Sequence, residues 1–253
     1  MTFLELYDDQ LDIELGTTDQ TQLFTTARRK AAANAAMQAF VRQTGATKKY
    51  GEIAIVDGTS EYNLYTNFTD FIRLAGNPSV KKTDSDSVVT YIQGKDLPRR
   101  HPEQLDLLEP GWRSADAGTP AVWYLRANTG TRLIGLTPAP DVPSGDTWKF
   151  IVPYVAKPVA MSAGADVPFT VGTGVLIDLE PWHQALVHYA ASVLEPLRKN
   201  TSGAERQMGV YAGYVAQFLQ QEGQDSEDQI MLLRDYYSEA HRKTRLVDHT
   251  RWP

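Results

Sequence analysis

QLFTTARRKAAANAAMQAFVRQTG, residues 22–45, is followed almost at once by GEIAIVDGTSEYNL, residues 51–64, and this change of character decides the fold. The first stretch is rich in alanine, free of proline and closed by Gly45, which predicts a helix from about Thr21 to Gln43. Leu23, Ala27, Ala31, Asn34 or Ala35, Gln38 and Arg42 step round it without a wide apolar stripe. Its small side chains let another helix come close. The second stretch alternates apolar with polar residues, is rich in β-branched side chains and carries Asp57-Gly58, as a β-hairpin would.

Working outward, residues 2–14 predict a short amphipathic helix with Leu4, Tyr7 and Leu11 on one side and acids on the other. FIRLAGNPSVKKT and SVVTYIQ read as short strands, HPEQLDLLEPGW as one short helix stopped by Pro110-Gly111. Residues 119–140 read as two strands joined at Asn128-Thr129-Gly130, and residues 146–161 as another strand. Helices then return. One opens at Asp178, Glu180 and Pro181, runs to about Lys199 with a break or kink at Pro196, and shows Trp182, Leu186, Tyr189, Val193 and Leu197 on one face. A second, from Ala204 to Glu222, shows Met208, Tyr211, Val215, Phe218 and Leu219. A third is predicted from Asp225 to about Arg242. The fold class is α+β: a helical bundle core with an inserted antiparallel β-rich domain and an extended C-terminal tail. The expected boundaries are 1–48 and 176–240 for the helical core, 49–175 for the insert and 241–253 for the tail.

The net charge of −6 is unevenly spread. Residues 1–20 hold six carboxylates and no Lys or Arg, and the remainder carries 25 basic and 25 acidic side chains. Unlike ends of neighbouring copies are therefore complementary, which predicts assembly that weakens or slows in high salt. A balanced chain is not built to grip nucleic acid. There is no cysteine, which excludes disulfides, thiolate nucleophiles and cysteine-bound metals. No apolar run approaches the roughly 18 residues of a membrane span, and the acidic start is unlike a signal peptide. These features predict a soluble chain made in the cytoplasm without a membrane partner.

Motifs for chemistry are missing. His183 and His188 are five apart and fall on different helix faces, whereas a zinc helix needs i, i+4. Asp84 and Asp86 resemble the start of a calcium loop, but the required glycine and glutamate do not follow. Gly94-Lys95 lacks the glycines and hydroxyl of a phosphate-binding loop, and Gly172-Thr173-Gly174 lacks the third glycine of a dinucleotide site. The expectation is a protein that is not an enzyme and takes no cofactor or metal. Trp112, Trp123, Tyr124, Trp148, Phe150 and Tyr154 crowd the insert. A small β domain is expected to bury only some of them, leaving others for protein contacts.

LEPGWRSADAGTPAVWYLRANTGTRLIGLTPAPDVPSGDTWKFIVPYVAKP, residues 108–158, resembles the middle of head-to-tail adaptor (connector) proteins of tailed bacteriophages, in the group of long adaptors. The shared shape is Pro-Gly-Trp, then Gly-x-Pro and an aromatic strand, a strand ending Leu-x-Pro-x-Pro, and Tyr-x-x-x-Pro. EPWHQALVHYAASVLEPL is similar to the family's helix after the β domain, and residues 22–45 to its early helix. The likeness runs over about residues 15–225.

The resemblance implies a structural virion protein of the neck: a dodecameric ring beneath the portal protein, extending the DNA channel and giving a tail or nozzle protein its platform. It also implies that an extended C-terminal segment docks on the portal. On this expectation Tyr236, Tyr237, Leu246 and Trp252 supply apolar anchors, and Arg242, Lys243, Arg245 and Arg251 meet acidic portal groups. Helices around 21–44 and 180–222 would make the ring contacts, while double-stranded DNA passes without specific binding. Other readings are a stopper or tail-terminator ring, or an enzyme assembled from dispersed acids and histidines.

Overall fold

A computed structural model of the chain describes residues 1–16, 23–92, 97–128, 130–172 and 177–222. The architecture is α+β, with every strand pairing between named strands antiparallel. The chain divides into two compact units, one of residues 1–3 and 37–180, the other of residues 4–36 and 181 onward.

The helical unit begins with a widened turn, Glu5–Gln10, that continues into α1, Leu11–Leu15, and stops at Gly16 in the left-handed conformation. Tyr7, Leu11 and Leu15 are buried, but Leu4 is not. The wide turn suits a spacing of four residues and rotates Leu4 out of the face that the sequence assigns it. Helix α2, Thr26–Thr44, starts where Thr25 Oγ1 accepts from the Arg28 amide, and it contributes residues up to Ala36 to this unit. Arg29 is buried; its Nε donates to the Phe24 carbonyl, and its guanidinium pairs with Asp12 at 2.8 Å and Asp8 at 3.4 Å.

A 3₁₀ turn, Ile177–Trp182, precedes α5, which spans His183–Leu194; a second such turn, Glu195–Arg198, follows where Pro196 cannot continue the helix. Helix α6 occupies residues 201–222. The face expected on α5 is corrected: Leu186 is buried, yet Val193 is 45% and Leu197 43% exposed, and the packed column is Leu186, Ala190 and Leu194. On α6 the buried side chains are Gln207, Tyr211 and Phe218, with Gly203 buried near its start. Tyr211 meets Tyr189 edge-on and Phe218 meets Trp182 likewise. Gly209 and Gly213 lie inside α6, where an added Cβ would meet nothing within 4 Å. Each costs about 1 kcal/mol of helix stability relative to alanine. The third predicted helix and the tail lie outside the described residues.

The other unit holds two sheets. One runs β1 (Lys48–Ala54), β8 (Thr147–Ala156), β4 (Ser79–Thr83) and β5 (Val89–Ile92), with β3 (Phe71–Leu74) also on β8; the second runs β2 (Glu61–Asn63), β7 (Thr131–Thr137) and β6 (Val122–Asn128). Two short helices, α3 (Leu64–Asn67) and α4 (Pro102–Leu108), complete the unit. Strand β8 alternates from Thr147 to Tyr154, turning Trp148, Phe150, Val152 and Tyr154 into a core shared with Tyr62, Trp123 and Ile134 of the second sheet.

The β6–β7 hairpin forms as the sequence predicts, with register Tyr124 opposite Gly135. The hairpin expected at Asp57-Gly58 does not: β1 pairs with β8 and β2 with β7, in different sheets. Asp57 Oδ1 accepts from the Val142 amide and Gly58 donates to the Pro140 carbonyl, so the turn is the corner between sheets. Ile53, Ile55 and Tyr62 thereby reach one core from both sides.

Gly135 is required where it stands. A Cβ there would lie 2.1 Å from the Tyr124 ring, which packs edge-on against Trp112 and donates through its hydroxyl to Glu61 at 3.1 Å. Gly135→Ala is expected to cost about 1–3 kcal/mol through displacement of that ring. A lowered urea midpoint with unchanged slope checks it.

Candidate assembly surfaces

The side chains that the sequence offered for chemistry have structural work. His183 is buried. His188 donates through Nδ1 to Gln207 Oε1 at 2.7 Å, Gln207 Nε2 donates to Glu14 at 2.9 Å, and the imidazole stacks on Tyr214. This chain of polar groups ties α1, α5 and α6 together. Asp84 Oδ1 accepts from the amides of Asp86 and Val88, fixing the β4–β5 turn. Among the described residues no cluster of three or more His, Cys, Asp or Glu could hold a metal, and no helix is long and apolar enough to cross a membrane.

Asp70 is a partly buried carboxylate of the β unit held by two donors. Lys49 Nζ donates to it at 2.7 Å and Tyr154 Oη at 2.8 Å. Burial pushes the Asp70 carboxyl up, but those two donors outweigh it and hold the group below the ordinary carboxylate range. The Asp70 hydrogen bond raises Lys49, and burial raises Tyr154. A carboxylate depressed in the folded state contributes stability above its unfolded value, and that contribution is lost as pH falls through the folded value. Lys49, raised, contributes below its unfolded value of 10.5 and loses this as pH climbs through the folded value. Asp70→Asn is therefore expected to flatten the fall in stability below about pH 4, read from thermal melts across pH 2.5–6. An unchanged acid limb would show that other carboxylates set it.

Surface aromatics are not those expected. Trp112, Trp123, Tyr124, Trp148, Phe150 and Tyr154 are all buried; Trp123, Trp148, Phe150 and Tyr154 share the core between the sheets, and Trp112 and Tyr124 lie in a second cluster with Leu105 and Val122. The indole of Trp123 donates to the Leu97 carbonyl at 3.0 Å and that of Trp112 to Asp106 at 2.8 Å. Instead Tyr50, 77% exposed, and Tyr91, 48% exposed, stand on the opposite face of the β1–β8–β4–β5 sheet. With Ile151 and Pro153 they line an open groove of about 510 Å³. No sequence signal separated these tyrosines from the buried ones except position, since both lie on the outward register of their strands.

The acidic N-terminus is only partly available to a neighbour. Asp8 and Asp12 pair with Arg29 of the same chain, and Glu14 accepts from Gln207. The tail residues assigned to portal contact, Tyr236, Tyr237, Arg242, Lys243, Arg245, Leu246, Arg251 and Trp252, lie outside the described residues.

A family model described as SU10 adaptor protein matches residues 1–242. No curated protein matches. Among solved structures, a chain from "Neck of empty GTA particle computed with C6 symmetry" shares 18% identity over 76% of each chain, with a TM-score of 0.26.

Proposed function

The chain belongs to the SU10 adaptor protein family, and from that premise we propose that it is a structural protein of the phage neck, a head-to-tail adaptor that closes into a ring of identical copies beneath the portal. The ring extends the DNA channel and gives the tail or nozzle protein its seat. The observation that carries this reading is the match over residues 1–242. Two features support it: a helical unit built from both ends of the chain around an inserted β unit, and side chains committed to packing rather than to a reaction centre.

In this reading the domains follow the sequence, with 1–48 and 176–240 as the helical core, 49–175 as the insert and 241–253 as the tail that lies along the portal. Electron microscopy of the purified chain mixed with its portal tests it. Rings stacked on the portal, twelve copies each, are expected. Rings found only at the tail-proximal end of the neck would indicate a stopper or tail terminator, and a monomer under all conditions would overturn the proposal.

DNA should pass without being held. Beyond residue 20 basic and acidic side chains balance at 25 each, and a lumen that released many counterions would stall a moving polyanion. The isolated ring is expected to show no retention of duplex DNA at physiological salt in a gel-shift titration. Tight binding there would remove the passive-channel role.

A further inference from the structure

The sheet that runs β1, β8, β4, β5 ends in two unlike edges. Every pairing in it is antiparallel, so β1 and β4 run one way and β8 and β5 the other. At the first edge, the Thr47 carbonyl accepts from the Ala156 amide and the Ile55 amide donates to the Trp148 carbonyl. By the alternation of an antiparallel ladder, residues 48, 50, 52 and 54 then turn their backbone groups away from β8. At the second edge, the Asp84 amide donates to the Val88 carbonyl, so residues 89 and 91 turn theirs away from β4. Among the described residues no strand pairs with either row. The chain re-enters after β5 at Leu97, whose amide donates to the Pro78 carbonyl just ahead of β4, so residues 92 and 97 both lie at the same end of the hairpin.

Edges of this kind are normally blunted. Those of the second sheet are: β2 has three residues, and the backbone of Trp123 in β6 is met by Pro98 and Arg100. Strand β5 is not. It reads Val89-Thr90-Tyr91-Ile92, without charge, proline or a break in register, and Val89 and Tyr91 are half-exposed. Each edge also carries one exposed tyrosine on the outward face, Tyr50 on β1 and Tyr91 on β5, with two strands between them in a single copy.

We propose that β5 of one copy pairs antiparallel with β1 of the next, Tyr91 opposite Tyr50, so that this sheet runs on from subunit to subunit. Strand direction suits a ring. Four strands alternate, so a copy related by rotation about an axis along the strands presents β1 antiparallel to β5 without reversal. Because unlike edges meet, every pair leaves one of each open, and the series ends only on closure. Backbone bonds supply the contact, and the cross-strand tyrosine pair sets its register. Lys48 and Glu52 flank Tyr50 on β1 while β5 is uncharged, so no like charges stand directly opposite one another. Glu52 keeps Lys149 of its own sheet at 2.6 Å. The assignment rests on the ring reading above and gives the β unit a part in subunit contact.

Val89→Pro tests it. Proline lacks the outward amide but spares the β4 ladder, so at concentrations where the chain is monomeric the melting temperature should stay close to that of the parent. Assembly measured by analytical ultracentrifugation should weaken about 10-fold or more through the lost backbone bond. Thr90→Pro removes an amide that faces β4 and should instead lower the melting temperature. Unchanged assembly of a folded Val89→Pro chain overturns the pairing.

Since the chain has no cysteine, a second test is free of background and keeps both tyrosines. The register sets Val89 opposite Glu52 of the next copy. Val89→Cys combined with Glu52→Cys should therefore yield a ladder of disulfide-linked multimers under mild oxidation, as bridging needs Cα atoms within about 7 Å. Each single variant should give none. Dimers from Val89→Cys alone would show that β5 pairs with itself and overturn the assignment. If the unmodified chain never assembles, the ring reading fails and this contact with it. Assembly of the double variant without the ladder removes this contact alone, whichever segment covers the edge instead.

Discussion

Truncation after Ala240 abolishes attachment to the portal while leaving the body folded and able to assemble: this is the largest functional effect expected of any change to the chain. The residues removed, His241 to Pro253, include Arg242, Lys243, Arg245 and Arg251 with Leu246 and Trp252, and they show no apolar period with which to fold alone. Ordering such a segment costs about 1–2 kcal/mol of backbone entropy for each residue fixed, so affinity must come from a few strong anchors. A tryptophan near the tip and a leucine six residues earlier are side chains of that kind, whereas the arginines chiefly set orientation and association rate. Trp252→Ala should then weaken binding far more than Arg251→Ala. Arg251→Ala should instead reduce the dependence of the association rate on salt. The measurement is pull-down and surface plasmon resonance with purified portal, together with infectivity of particles carrying the truncated chain. Infectious particles at normal titre would remove the docking role from this segment.

The largest expected loss of stability comes from Glu195. Its carboxylate is 1% exposed and accepts from Arg198 Nη2 at 2.6 Å, from Arg198 Nε and from Asn200 Nδ2 at 2.9 Å. Arg198 in turn donates to the Leu15 carbonyl at 2.6 Å, which satisfies the C-terminal end of α1. One buried anion therefore positions the cation that holds the first helix against the turn after α5. Glu195→Ala leaves the guanidinium without its counter-charge and is expected to cost about 3 kcal/mol or more, since breaking a largely buried pair strands the other charge. Glu195→Gln keeps the shape and should recover part of this. Chemical denaturation of the two variants checks the order, and a loss below about 1 kcal/mol for the alanine would place this pair with exposed surface pairs.

The sequence made the order of helices and strands legible because each element carries its own signal: a period of two in β8, alanine content closed by a glycine in α2, and Asp178, Glu180 and Pro181 at the start of the helical stretch that holds α5. It also marked the β6–β7 turn, where Asn128-Thr129-Gly130 supplies the residues a tight connection needs. What it did not show was which strand pairs with which. Asp57-Gly58 satisfies a hairpin locally, but the partners of β1 and β2 are made roughly 70–110 residues later, and no local signal records them. Helix faces failed for a related reason. Val193 and Leu197 are apolar on a helix that is apolar nearly all round, so composition alone could not tell its inner side from its outer one. The inner face of α6 was visible as residues but not as a face, because Met208 and Leu219 share the pattern with Tyr211 and Phe218 until burial separates them. Family membership, by contrast, was carried by the order of motifs through the β unit and not by any reactive side chain.

Strand β8 has a consequence for how the protein is made. It is the only strand that joins β1, β3 and the β4–β5 hairpin, and it is among the last parts of its unit to leave the ribosome. At about 5–20 residues per second, β1 waits on the order of 5–20 s for its partner. During that interval Ile53, Phe71 and Val80, all buried in the finished unit, stand on unpaired edges. The nascent chain thus passes through a window in which these edges are prone to pair with other strands before their own partner has been made.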